Sequence, residues 1–418
     1  MEYIHSKDIF LLMRDTLKLI DRKPMDHGSR VAYYLYKMLE CKGGFEKFEL
    51  ADFVFLASLH DIGAYKTDNL KDMLQYEFKE TMAHSVYGYL VFKYLSPLSE
   101  LSQIILYHHM DYSRLEAMGH EYKEVTACLN LAEKIDIYST ILGDKFAVSR
   151  LEKHIGTIFS KDSYDLFKQA EEKYDVINKV KSDDYKAELD EITEYMIFTN
   201  ADKKKSVEML MYIQGLKEEN LVFNAVTCTC IAEILGQKAG LNELEREQLY
   251  YATLLHDIGM LAIPNGITNA PRNLTPEEYK KVKMHVLLAE KVLKNRMAEE
   301  VMGIVATHHE RGDGSGYPRG LKEAQMNRNQ WILQLADSVS ALLAVKTYRP
   351  ALSRDELSAL LRKEAEQGKY NKMIVNLFLD GQSEIMDYVE NRVDKTLVTY
   401  RKLNQQYKKV SRNFGEHR

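Results

Sequence analysis

The chain has 418 residues, 45% apolar and 28% charged, with a formal net charge of −5 and a pI near 6.3. That length exceeds one ordinary core and fits two domains. The acidic balance excludes a broadly basic surface for polymeric nucleic acid, though not a local phosphate pocket. Four cysteines without a disulfide framework, and no stretch approaching the ~20 apolar residues of a membrane span, predict a cytoplasmic protein with no membrane partner. Seven prolines, none from Leu98 through Ile263, suit an all-α chain.

In chain order, Ile9, Phe10, Leu12, Met13, Leu17 and Ile20 make an apolar helical stripe ahead of Pro24. His27 opens a second amphipathic helix that Gly43-Gly44 interrupts. The next helix runs toward Leu59 and delivers His60-Asp61, with Gly63 as its exit. His84 lies in another helix, and residues 99–109 form one that ends in His108-His109. Residues 125–138 carry Glu133 and Asp136, three apart on related sides of a helix. A helical connector follows, and the domain boundary is set near residue 200, giving domains 1–200 and 201–418. Lys203-Lys204-Lys205 reads as a solvated run.

The second half starts with a helix through Glu208 and Met211 that is expected to break at Gly215. Asn220 precedes a strongly apolar run at 221–235, where Cys228 and Cys230 read as packing residues. Asn242-Glu-Leu-Glu caps the helix that delivers His256-Asp257. Thr275-Pro276-Glu277-Glu278 caps the helix carrying His285. His308-His309 ends a further run and opens a Gly-rich loop at 312–320. A helix from Trp331 to Val345 bears Asp337. Ser353 and Glu356 have capping-box spacing, and the basic end, with Lys402, Lys408, Lys409 and Arg412, reads as a solvated terminus.

Nine of the thirteen histidines fall into two sets in the same order and at nearly the same spacing. The first set is His27, His60-Asp61, His84, His108-His109, then Glu133 or Asp136. The second is His256-Asp257, His285, His308-His309 and Asp337. Such a repeat points to duplication and to metal binding. A carboxylate can bridge two cations, so Asp257 is placed between two ions, with His256 and Asp337 on one and His285, His308 and His309 on the other. Mixed nitrogen and oxygen ligands suit Mn, Fe or Zn better than an all-oxygen Mg site. Two ions roughly 3.5–4 Å apart would hold and deprotonate a bridging water for attack on a phosphodiester. Asp257 and His256 are thus the candidate catalytic residues, and the first set is a second possible metal site. In the loop, Arg319 is a candidate phosphate contact, and Tyr317 either stacks on a base or packs the loop. Arg311 and Arg349 read equally as phosphate or guanine contacts and as structural arginines.

His256-Asp257-Ile258-Gly259, His285, His308-His309-Glu310, the run from Asp313 to Leu321 with its Gly-Tyr-Pro, and Ala336-Asp337 resemble an HD-GYP domain, a branch of the HD phosphohydrolase superfamily, across residues 205–390. Residues 20–140 resemble an HD domain without the Gly-Tyr-Pro loop. The resemblance implies tandem all-α HD-type domains and a centre of two or three metal ions, commonly iron or manganese. It also implies hydrolysis of a cyclic dinucleotide, either cyclic di-GMP or 3′,3′-cyclic GMP-AMP, to a linear dinucleotide. The family's first histidine aligns with Asn224, which either supplies a weaker oxygen ligand or leaves the first metal under-coordinated, and Asn224 is counted here among the candidate metal ligands. A glutamate one turn earlier is replaced by Asn220, so two ions rather than three are expected. A lysine after His-Asp-Ile-Gly is replaced by Met260. In the first domain Glu133 stands for the final aspartate, and Lys23 corresponds to Asn220. A weakened cyclic-dinucleotide sensor and a nucleotide phosphohydrolase using the first domain are the alternatives, and a homodimer stays open.

Overall fold

Every regular element among the described residues is a helix, beside two isolated β-bridges, Ile155 with Phe159 and Asp313 with Lys322. The structure, a computed structural model, describes residues 3–66, 82–343 and 352–415. The all-α expectation holds. Contacts divide the chain into two units, one of Asp21–Lys205 with Lys402–Arg418, the other of Ser206–Arg401 with Met1–Ile20.

The unit holding the first histidine set is built on the helix Arg22–Lys42. Asp21 caps its start by accepting from the Lys23 amide at 2.9 Å, and Gly43 ends it at φ 70°, a conformation glycine takes without a Cβ penalty. Val31, Tyr34, Leu35 and Met38 are buried on the side that meets the helices Lys47–Ser58, Lys123–Leu142 and Lys161–Tyr174. Tyr34 meets Phe167 edge-on at 5.8 Å, and Phe55 meets Phe92 at 6.2 Å. Each such buried ring contributes about 1.5–3 kcal/mol through removal of apolar surface from water.

In the other unit the helix Glu219–Lys238 packs on Arg328–Leu343 and Glu243–Leu255. The caps expected at Asn242, Thr275 and Ser353 all form, each reciprocal with the glutamate three residues on. The expected break at Gly215 does not occur: the helix Asn200–Lys217 runs through it. Tyr400 Oη donates to the Gly215 carbonyl at 3.0 Å, and a Cβ at Gly215 would lie 2.8 Å from that hydroxyl. This glycine makes room for a neighbour rather than a bend. The helix carrying Asp337 begins at Arg328 and is described to Leu343; Arg349 lies outside the described residues.

The helix Ser6–Ile20 groups with this second unit, whereas the sequence boundary puts it with residues up to 200. Its buried stripe packs on the turn Ile258–Ala262 and the helix Pro276–Leu293. The Ala298 amide donates to the Tyr3 carbonyl at 2.9 Å, and Arg296 reaches Asp8 at 3.8 Å.

The glycine after each His-Asp pair fixes the site. A Cβ at Gly259 would fall 2.0 Å from the His285 carbonyl oxygen, and one at Gly63 would fall 2.0 Å from that of His84. Only glycine lets the turn carrying the aspartate press against the helix carrying the third histidine. The same approach occurs in both units.

Candidate metal centre

His256 ends the helix Glu243–Leu255, and Asp257 opens the turn Ile258–Ala262. His285 stands in Pro276–Leu293, His308 and His309 follow Glu299–Val305, and Asp337 comes from Arg328–Leu343. Their donor atoms meet as two overlapping groups, Asp257 with His285, His308 and His309, and Asp257 with His256 and Asp337. Asp257 Oδ1 lies 3.4 Å from His285 Nε2 and 3.9 Å from His308 Nε2, while Oδ2 lies 3.6 Å from His256 Nε2. The two oxygens of one carboxylate therefore face different groups. Asp337 is 3.6 Å from both His256 Nε2 and His309 Nδ1.

The backbone sets the tautomers. Nδ1 of His256, His285 and His308 lies 2.8, 2.6 and 2.6 Å from the carbonyls of Thr253, Val282 and Val305, each three residues earlier. A carbonyl only accepts, so Nδ1 carries the hydrogen and Nε2 presents its lone pair to the centre. His285 Nε2 and His308 Nε2 then face each other at 3.1 Å. Two lone pairs at that separation repel unless a cation lies against both, so the donor set fits a divalent metal. Burial, then the neighbouring His309, hold the His308 imidazole well below its ordinary range, and His309 is held down mainly by burial. Burial also disfavours the His256 imidazolium, but Asp257 and Asp337 outweigh it and lift this group to about 9, so a cation taken up beside these carboxylates would displace the Nε2 proton of His256 before meeting its lone pair.

The first unit repeats the arrangement. Asp61, His84, His108 and His109 form one group and His27, His60 and Glu133 another. His60 and His108 again donate from Nδ1 to carbonyls three residues back, Ala57 at 2.7 Å and Ile105 at 2.6 Å. His84 Nε2 and His109 Nε2 are 2.8 Å apart, and His109 Nδ1 is 3.2 Å from Glu133. Asp61 lies 3.3 Å from His84 and 3.4 Å from His60. Although burial works against its charged form, His60, His84 and His27 hold Asp61 well below the usual carboxylate range. Asp136 corrects the sequence reading. It stands outside both groups, 2.7 Å from His27 Nδ1, and takes two bonds from Arg30 at 2.7 and 2.8 Å. Its carboxylate orients His27 and is neutralised by Arg30.

A cavity of about 490 Å³ opens on the second-unit centre, with Asp257, His285, His309 and Asp337 in its wall. Asn224 and Asn220 line it from the helix Glu219–Lys238, and Asn224 Oδ1 is buried without a hydrogen-bond partner. An orphan acceptor beside the centre is what an oxygen ligand would look like before a cation meets it. Met260 also lines the cavity.

Two of the candidate substrate arginines, Arg319 and Arg311, turn elsewhere. Arg319 makes a two-point pair with Glu290 at 2.6 and 2.8 Å, and it does not line the cavity. Arg311 donates to Ser338 at 3.3 Å and stacks over Tyr370 at 4.6 Å. Tyr317 lies on the His309 ring at 4.8 Å, 31° from parallel, so it packs against the centre's own histidine. The loop is anchored instead by Glu310, fully buried, which accepts from the amides of Arg319 at 2.6 Å and Leu321 at 2.8 Å. Arg272, Asn273 and Tyr279 also line this cavity, and none of them is singled out in the sequence reading. Prolines 264, 271 and 276 bracketing a polar stretch were the available signal.

Family models described as HD domain match twice, at residues 208–374 and at 25–141, and together they cover more than half of the chain. The chain belongs to the HD domain family. Its second HD domain carries the Gly-Tyr-Pro loop of the HD-GYP branch. A 3′3′-cGAMP-specific phosphodiesterase 1 of Vibrio cholerae is 26% identical over 403 residues, 90% of this chain and 91% of that protein. A cyclic di-GMP phosphodiesterase of Thermotoga maritima is 34% identical over 166 residues, 38% of this chain and 44% of that protein. A crystal structure of a cyclic GMP-AMP-specific phosphodiesterase of V. cholerae superposes with a TM-score of 0.59 at 16% identity, covering 91% of this chain and 98% of that one. That likeness shows a shared helical fold. No helix among the described residues is long and apolar enough to cross a membrane.

Proposed function

We propose that this tandem HD protein is a metal-dependent phosphodiesterase that opens a cyclic dinucleotide to its linear form in the second HD domain. The observation carrying this is the convergence of Asp257, His285 and His309 on the wall of a cavity of about 490 Å³, within the ordinary range for ligand sites. One ion would be held by His256, Asp257 and Asp337 with Asn224 as an oxygen donor, the other by Asp257, His285, His308 and His309. Iron or manganese suits this nitrogen–oxygen set. Bound there, such ions neutralise charge on a phosphoryl group and lower the pKa of a coordinated water. The chain's own part is positional. Backbone carbonyls fix each imidazole, Asp257 faces both groups at once, and Tyr317 closes over His309. Relatives named for 3′3′-cGAMP and for cyclic di-GMP make these two the substrates to compare.

The test is anaerobic purification, loading with Mn or Fe, and turnover of both dinucleotides. Asp257→Ala is expected to abolish metal retention in the second domain together with turnover. Ligand binding without product under either metal would favour a sensor, a reading motivated by Asn220, Asn224 and Met260. The first HD domain supplies seven candidate ligands, His27, His60, Asp61, His84, His108, His109 and Glu133. Turnover that survives Asp257→Ala and is lost in Asp61→Ala would move the chemistry there, as a nucleotide phosphohydrolase.

A further inference from the structure

A second cavity, of about 290 Å³, lies in the same unit and shares no lining residue with the one beside Asp257. Its floor is apolar, from buried Met211, Val226 and Leu254, and Tyr212 and Tyr250 supply aromatic wall. Two carboxylates and two cations also line it, Glu208, Glu233, Arg392 and Lys395. Glu208 accepts from the Tyr250 hydroxyl, and Glu233 accepts from that of Tyr388 at 2.8 Å. A carboxylate has about four acceptor sites, so each keeps capacity for further N–H donors. Arg392 and Lys395 stand three apart on the helix Gln382–Gly415, both exposed. Neither makes an ion pair or a side-chain hydrogen bond among the described residues.

A ligand satisfying this lining needs a flat apolar body, ring N–H donors for the carboxylates and an anionic group for the two cations. We propose that the cavity binds a purine nucleoside monophosphate of the guanine type. Its base lies between Tyr212 and Tyr250 with its N–H edge toward Glu208 or Glu233, and its phosphate meets Arg392 and Lys395. The place is mechanically close to the metal centre. Thr229, in the cavity wall, donates to Thr253 Oγ1 at 2.9 Å, and the Thr253 carbonyl accepts from His256 Nδ1 at 2.8 Å. The choice of a nucleotide rests on the phosphodiesterase reading only for where such a molecule would come from.

The experiment titrates GMP into the full chain carrying Asp257→Ala, by calorimetry, so that turnover plays no part. Saturable binding is expected, with guanosine and inorganic phosphate each binding at least tenfold more weakly. Adding Arg392→Gln and Lys395→Gln should weaken GMP at least tenfold while leaving the thermal midpoint in place, because both side chains are exposed. Adding Arg272→Gln, in the other cavity, should leave GMP affinity unchanged. Absence of saturable binding at millimolar GMP, survival of binding after both cations are removed, or its loss with Arg272→Gln would each overturn the proposal. Failure of the wild type to open cyclic dinucleotides would sink the phosphodiesterase reading while leaving this binding result standing.

Discussion

Glu310 offers the sharpest test of how the Gly-Tyr-Pro loop is held. Its carboxylate is fully buried and receives two backbone amides, Arg319 at 2.6 Å and Leu321 at 2.8 Å. Hydrogen bonds to a charged group are each worth about 1.5–3 kcal/mol. Glu310→Gln keeps one acceptor oxygen and turns an NH2 toward the other amide, a loss of about 2 kcal/mol. Glu310→Ala strands both amides, a loss of about 3–5 kcal/mol. Because the loop can open locally, this energy is expected there before it appears in global stability. A loss of about 2 kcal/mol corresponds to roughly 30-fold faster exchange where the opening equilibrium governs the rate. Hydrogen exchange at the Arg319 and Leu321 amides reads it directly, and the alanine variant should exceed the glutamine one. Unchanged protection in both variants would refute the anchor and with it the account of the loop.

Gly259→Ala places a methyl where the His285 carbonyl stands, so metal content of the second domain should fall, with a loss of several °C in thermal midpoint; unchanged metal analysis would contradict the close approach. Asp136→Asn removes the anion behind His27 and leaves Arg30 unneutralised, and metal affinity of the first domain should drop about 10–100-fold by competition with a chelator. Burial, aided by Glu49, raises the Asp52 carboxyl to about 6. Its folded form therefore binds more protons than its unfolded form between the ordinary carboxylate pKa and about 6, and stability falls as pH rises through that window. Asp52→Asn should accordingly stabilise by about 1 kcal/mol at pH above 6, after discounting for solvent access, and give little gain at about pH 4. Thermal melts of both proteins at the two pH values check the sign.

What could be read from the chain alone follows the range of the interaction. His256-Asp257, His285, His308-His309 and Asp337 announce themselves because duplication repeats them with His60-Asp61, His84 and His108-His109. The caps at Asn242, Thr275 and Ser353 are contained within four residues and were legible for that reason. Partners far away in sequence were not. Nothing local says that Arg319 would choose Glu290 over a phosphate, or that Asp136 would face His27 and Arg30 rather than a cation. Gly215 looked like a breaker because its reason for being glycine, Tyr400, lies at the far end of the chain. The same applies to Ser6–Ile20, whose stripe fits any apolar face until the turn Ile258–Ala262 is seen beneath it.

The contact of Gly259 with the His285 carbonyl also gears two parts of the centre together. With no side chain as a spacer, the helix bearing His285 cannot tilt without dragging the turn that bears Asp257. A disturbance elsewhere in the domain would thus shift both donors as one piece, preserving their mutual spacing while changing how they face the cavity. Gly63 couples Asp61 to His84 in the same way, so each half owns a stiff two-donor clamp whose calibration survives motion of its surroundings.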